Sequence, residues 1–128
     1  MIIGNTFPMT LVPAGANVIV QHSTLAELKR TAKVAICTGE PVSSYWGHKN
    51  TLNTINKTLG FDITPESERP ALKAGQKDWF LPLNGGGTFA TTLWVVAPIY
   101  ADGFRPAIGV EVTPEQIQGW QVLKVSVV

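Results

Sequence analysis

The chain has 128 residues, close to the commonest domain size, and we expect a single domain over residues 1–128. Only 15% of the residues are charged, whereas globular proteins average about 25%. We therefore expect some apolar surface to meet a second copy, as in a homodimer or a higher symmetric oligomer. A formal net charge of +1 excludes the broad basic field that holds duplex nucleic acid.

The single Cys37 excludes an intrachain disulfide and favours a reducing compartment. His22 and His48 lack the spacing of metal ligands, so we expect neither a metal site nor a cofactor. No stretch approaches the roughly 18 apolar residues of a membrane span, and no secretory signal is recognisable. The sequence indicates a cytoplasmic protein that does not bind membranes.

Two short strands are predicted first, within residues 1–12 and at 18–20. Ser23 or Thr24 then caps a predicted amphipathic helix over residues 24–32. An extended segment at residues 42–46 leads to a second helix, whose apolar residues recur every three or four positions until a terminating glycine; these are Leu52, Ile55, Leu59 and Gly60.

The second half of the chain reads mainly as strands. Thr-Pro-Glu at residues 64–66 and again at 113–115 is typical of the start of a short helix or turn, and Gln116 completes a capping box at the later site. Strands are predicted at residues 69–73, 79–83, 88–99 and 120–127, with a glycine-rich turn at 84–87. We expect an α/β (α+β) fold, with a mixed, mainly antiparallel sheet flanked by two or three short helices.

The segment Gly47-His48-Lys49-Asn50-Thr51 opens the second predicted helix. Backbone N–H groups at a helix start lack internal partners and lie at the positive end of the dipole, so they bind phosphate. Gly47 allows close approach, Lys49 adds charge, Asn50 and Thr51 add donors, and His48 can act as a general acid. The alternative is that His48 is a hydrogen-bonded structural residue without chemistry.

Other residues qualify as ligand contacts. Arg69 and Arg105 each precede a proline, which favours extended backbone and places them at strand ends. Either guanidinium group can form a pair of hydrogen bonds to a phosphate, or it can form a surface ion pair. Asn5 and Thr6 follow the first predicted strand. They are candidates for ligand contact, and the alternative is that they form a turn. Tyr45 and the adjacent tryptophan stack on a base, or belong to the core or a dimer interface. The tryptophans assigned to the core are Trp79, Trp94 and Trp120.

These features occur in an order that resembles a family of small viral and bacterial proteins. The likeness consists of a strand ending in Asn5-Thr6, the helix at 24–32, the segment 43–51 leading into a helix that ends Leu59-Gly60, then Arg69, and finally Gly103-Phe104-Arg105 before residues 113–117. The family includes the type III anti-CRISPR ring nucleases, which degrade cyclic tetra-adenylate.

The resemblance implies a twofold site around a cyclic nucleotide, with His48 as the general acid and Arg105 as the stabiliser of the transition state. It implies ligand contacts from Asn5, Thr6, Asn50, Thr51 and Arg69, and cleavage by a ribose 2′-hydroxyl without a metal. One position departs from the family pattern: Ile108 stands where the family has a glutamate, and Glu111 lies further along.

Three interpretations follow from the sequence. The first is a viral or prophage protein that binds a cyclic oligonucleotide messenger and cleaves it, antagonising CRISPR-type immunity. The second is a non-catalytic sponge that sequesters a cyclic nucleotide or a cyclic ADP-ribose-like signal, which the missing glutamate favours. The third is a structural or protein-interaction module, which the apolar composition favours.

Overall fold

A computed structural model describes residues 1–45, 49–60, 65–66, 69–73, 75–83, 86–105 and 113–128. Two α-helices and eight strands are described there, together with 3₁₀ turns at Met9–Leu11 and Pro114–Gln116. In chain order the elements are β1 (Ile2–Gly4), β2 (Val18–Ser23), α1 (Leu25–Cys37), β3 (Ser43–Tyr45), α2 (Lys49–Leu59), β4 (Pro65–Glu66), β5 (Trp79–Leu83), β6 (Gly86–Ala90), β7 (Thr92–Tyr100) and β8 (Ile117–Val127).

Six of the strands form one mixed sheet in the order β2-β8-β7-β1-β3-β4. β8 pairs antiparallel with both β2 and β7, and these two pairings are the longest ones in the sheet. β1 pairs parallel with β7 and with β3, and β3 pairs parallel with β4. The remaining strands, β5 and β6, form a separate antiparallel hairpin. The predicted mixed, mainly antiparallel sheet is confirmed.

The two helices lie on the same face of the sheet. The chain crosses from β2 through α1 to β3, and from β3 through α2 to β4, moving in one direction along the strand order. Crossovers of the same hand and direction place their helices on one face. Accordingly, Leu28 of α1 and Ile55 of α2 belong to one buried cluster with Ile3 of the sheet.

Helix α1 begins and packs as its sequence predicts, but it is longer. The Thr24 hydroxyl accepts a hydrogen bond from the Glu27 N–H at 3.1 Å, which caps the first turn. Leu28 and Ala32 are buried, and the helix continues to Cys37 because Ala35 extends the same buried stripe. The predicted end at residue 32 is therefore too early.

A second buried cluster covers the opposite face. It joins Ile2 and Leu93 of the sheet to Trp79 and Leu81 of the β5–β6 hairpin. The indole N–H of Trp79 donates to the carbonyl of Val125 in β8 at 3.2 Å, so even its polar atom is satisfied. The sheet is thus the middle of three layers. Trp79 and Trp94 are buried as predicted, and Trp120 is half-buried.

Three element predictions were wrong. Pro65–Glu66 is strand β4 and not a helix start, because β3 offers it a parallel edge and proline is tolerated at the first position of an edge strand. Residues 69–73, which were predicted to form a strand, contain a single isolated bridge, in which Ala71 pairs with Phe80. The predicted strand 88–99 is divided at Thr91 into β6, which closes the hairpin, and β7, which enters the main sheet.

Other local predictions are confirmed. Helix α2 is followed by Gly60 with a φ of 73°, the left-handed conformation typical of a helix end. The Thr113 N–H donates to the side-chain oxygen of Gln116 at 2.8 Å, which is half of the predicted capping box. None of the described helices is long and apolar enough to cross a membrane.

The packing of α1 gives a direct test. Leu28 is 0% exposed, and Ile36 on the same helix is 51% exposed. Leu28→Ala should lower the free energy of unfolding by about 2–5 kcal/mol, because it leaves a cavity between α1 and the sheet. Ile36→Ala, the matched control, should change it by less than about 0.5 kcal/mol. Urea denaturation measures both, and equal losses would contradict this packing.

Candidate functional site at the carboxyl edge of the parallel strands

The parallel strands β1, β3 and β4 present their carboxyl ends at one edge of the sheet, because they run in the same direction. Asn5 and Thr6 directly follow β1, and Arg69 comes shortly after β4. Helix α2 begins at Lys49, four residues after the end of β3. In open sheets with parallel strands and crossover helices, this is the edge where ligands bind.

The start of α2 supplies backbone donors at this edge. Lys49, Asn50 and Thr51 form the first helical turn, whose N–H groups have no acceptors within the helix. Gly47 and His48 lie outside the described residues, and so do the side chains of residues 49–51. The helix dipole nevertheless makes this backbone favourable for an anion.

Tyr45, the last residue of β3, links the ends of β1 and β3. Its side chain is 3% exposed and belongs to the core beneath this edge. Its hydroxyl donates to the backbone carbonyl of Thr6 at 2.8 Å. Tyr45 is therefore a core residue, one of the two alternatives that the sequence left open, and its buried ring is not available to stack on a base.

Burial and the charge of Arg69 both affect the pKa of the Tyr45 phenol. Burial raises the pKa of Tyr45 above its usual value, and the positive charge of Arg69 opposes that rise in part. The Arg69 side chain is exposed to solvent, yet it lies close enough to act on the phenol. Asn5 is half-buried and Thr6 is exposed beside it.

Arg105 occupies a different part of the same edge. Val95 of β7 pairs with Gly4, the last residue of β1, and β7 then continues to Tyr100 along β8. These five further residues span roughly 17 Å if extended. Phe104, whose ring lies 5.5 Å from that of Tyr100, immediately precedes the exposed Arg105. Arg105 therefore lies at the end of the β7–β8 ribbon, which continues past the end of β1.

A cavity of about 370 Å³ lies at the opposite, amino edge of the parallel strands. Within it the Glu27 carboxylate accepts hydrogen bonds from Ser23 and from the Lys124 ammonium, the latter at 3.0 Å, and these two bonds lower the pKa of Glu27. The Lys124 nitrogen also lies 5.5 Å from the centre of the Trp94 ring. These groups satisfy one another and tie α1 to β8, so we assign the cavity a structural role. Its walls are formed by Met1, Glu27, Thr31, Ala35, Glu40, Ala90, Thr91, Thr92, Trp94 and Lys124.

Metal binding has no candidate group in the part of the chain that the structure describes, where no three His, Cys, Asp or Glu side chains come together. At the carboxyl edge, the described groups are backbone N–H donors, hydroxyl and amide side chains, and arginine. Such a set binds anions and positions them; by itself it does not supply a general acid.

The fold and this edge define a class of protein: a three-layer α+β domain with polar strand ends and a helix start at one edge of a partly parallel sheet. A solved structure of this architecture is B116 of Sulfolobus turreted icosahedral virus, with a TM-score of 0.64 over 98% of this chain and 97% of that chain. At 11% sequence identity the similarity shows the fold alone, in a viral protein. No protein-family model and no curated protein matches the sequence.

The raised pKa of Tyr45 predicts how stability depends on pH. An unfolded phenol ionises near pH 10, whereas the folded phenol keeps its proton to higher pH. The contribution of Tyr45 to the free energy of unfolding should therefore be constant below pH 10. It should fall by roughly 1.4 kcal/mol for each pH unit above 10, until the folded pKa is reached.

Urea denaturation of the wild type and Tyr45→Phe between pH 8 and 11 measures this contribution. The difference between the two proteins should be flat up to pH 9.5 and shrink above pH 10, while effects of lysine titration cancel. A difference that does not change with pH would contradict the burial of the phenol.

Proposed function

We propose that this protein binds a cyclic oligonucleotide messenger of the cyclic tetra-adenylate type in a pocket shared by two copies, and cleaves it without a metal. The observation that carries the proposal is the arrangement of the carboxyl edge. Asn5 and Thr6 follow β1 at this edge, Arg69 follows β4, and α2 begins there; in the sequence, Gly47 and His48 directly precede α2. The viral origin of the structural neighbour is consistent with a role in antagonising host immunity.

The chemistry of this edge favours a phosphodiester ligand. Backbone N–H groups at a helix start and an arginine both prefer phosphate oxygens, and amide and hydroxyl side chains hydrogen-bond to riboses and bases. The net charge of +1 provides little long-range attraction, so a small ligand held by short-range contacts fits better than a long nucleic acid.

A homodimer is supported by the β7–β8 ribbon. Ile99 on this ribbon is 48% exposed, and Arg105 follows its end. An exposed apolar side chain close to a charged group on an extending ribbon is suited to contact with a second copy. A twofold dimer would also match the internal symmetry of a cyclic tetranucleotide, because each half of the ring would meet an identical set of residues.

Cleavage in this proposal proceeds by attack of a ribose 2′-hydroxyl on the adjacent phosphorus. The new O–P bond forms in line as the bond to the 5′ oxygen breaks, which leaves a 2′,3′-cyclic phosphate. The hydroxyl proton passes to water, and His48 donates a proton to the departing 5′ oxygen. Arg105 stabilises the charge on the phosphorane.

A sponge is the second candidate function, and a sequence observation favours it. Ile108 stands where the resembling family has a glutamate, so a group that assists proton transfer is missing. Residues 106–112 lie outside the described structure, and Glu111 among them. Without the family glutamate, the protein would bind the cyclic ligand but would not cleave it.

The test is incubation of the purified protein with cyclic tetra-adenylate, and with cyclic di- and trinucleotides and cyclic ADP-ribose, in EDTA. Melting temperature reports binding, and chromatography reports the product. The wild type should give a linear product with a 2′,3′-cyclic phosphate, and His48→Ala should reduce the rate about 10²–10⁴-fold. His22→Ala is the matched control, because His22 is exposed on β2, and it should retain full activity.

Each outcome separates the candidates. Cleavage that depends on His48 supports the nuclease. A stabilising shift with intact ligand supports the sponge. If no ligand changes the melting temperature and none is consumed, both candidates fail, and the interaction module becomes the better interpretation of the apolar surface.

A further inference from the structure

Tyr45 and Gly4 are paired neighbours at the ends of β3 and β1. A Cβ atom built on Gly4 would lie 2.1 Å from Cζ of the Tyr45 ring, a separation that no side chain tolerates. The ring therefore lies flat over the backbone of β1, and glycine is required beneath it. This close approach allows the Tyr45 hydroxyl to reach past the end of β1.

The hydroxyl meets the chain where the strand pairing has stopped. β1 pairs with β3 and β7 from Ile2 to Gly4, so Thr6 lies beyond the ladder. The bond from the Tyr45 hydroxyl to the Thr6 carbonyl, at 2.8 Å, joins segments 39 residues apart in sequence. With the ring 3% exposed, little water competes for this partly buried bond.

We propose that Tyr45 is a positioning residue of the site, which holds the Asn5–Thr6 backbone at a fixed distance from the end of β3. The inference rests on the proposed function, because this distance affects ligand binding only if the carboxyl edge binds the cyclic nucleotide. β1 and β3 are each only three residues long, and their pairing ends at Gly4. One hydrogen bond beyond the ladder fixes the Asn5–Thr6 segment relative to β3.

The experiment compares the wild type with Tyr45→Phe, which keeps the ring over Gly4 and removes the hydroxyl. Thr92→Val is the matched control, because it also removes one partly buried hydroxyl hydrogen bond, to Ser126 at 3.0 Å, but at the amino edge. Both variants should lose similar small amounts of melting temperature. In Tyr45→Phe alone, amide exchange of residues 5–7 should become at least several-fold faster without ligand.

The same variants are then assayed with cyclic tetra-adenylate. Tyr45→Phe should raise KM, or Kd if the ligand is not cleaved, roughly fivefold, and leave kcat within about twofold. A merely structural role would lower stability in both variants and leave KM unchanged. Gly4→Ala displaces the same ring and should raise KM in the same direction, at a larger cost in stability.

The outcomes distinguish this proposal from the proposed function. Faster exchange at residues 5–7 with a raised KM supports a positioning role. Unchanged exchange, or faster exchange with unchanged KM, overturns it. If the wild type binds no cyclic nucleotide, the proposed function fails by itself, and the exchange experiment still decides whether Tyr45 orders the Asn5–Thr6 segment.

Discussion

Two consecutive residues, Ile2 and Ile3, are each 0% exposed, although they point to opposite faces of the sheet. A strand buried on both sides must lie in the interior of a sheet that is covered twice, by the helices on one face and by the β5–β6 hairpin on the other. β1 meets this constraint as a short central strand between β7 and β3. The parallel strands β1, β3 and β4 require crossover connections, and the helices of those connections, α1 and α2, make up the layer over Ile3.

The same constraint determines which edge of the sheet carries the candidate site. The crossover from β3 to β4 begins at the carboxyl edge, so the start of α2 lies beside the end of β1. β1 stops at Gly4, whereas its neighbour β7 runs on to Tyr100. This difference in length produces a step at the edge, with polar strand ends on the low side and the ribbon that leads to Arg105 on the high side. In the proposed dimer, a second copy across this step would enclose the ligand between the two copies.

The elements that the sequence predicted well are those with strong local signals. Helix α1 has a capping threonine and an apolar stripe, and β8 has alternating residues that both faces of the sheet then bury, as at Val122 and Val125. Strand direction leaves no such signal, because a period of two is the same in parallel and antiparallel pairs, so the predicted mixed sheet did not specify which strands are parallel. Pro65–Glu66 resembled a helix start until the edge of β3 was available to pair with it. The tyrosine hydroxyl that reaches Thr6 depends on a register between distant segments.

The low net charge makes the exact placement of the hydrogen-bond donors at the carboxyl edge important. A strongly basic protein can hold a phosphate loosely through its overall field, but a chain with a formal charge of +1 must rely on donors at contact distance. Short-range hydrogen bonds lose most of their value when the partners shift by about 1 Å. The described donors come from separate strand ends and a helix start, each anchored in the core, and Tyr45 joins two of these anchors. In the proposed function, recognition at this edge would therefore depend on the rigidity of the layer beneath it more than on the number of its charges.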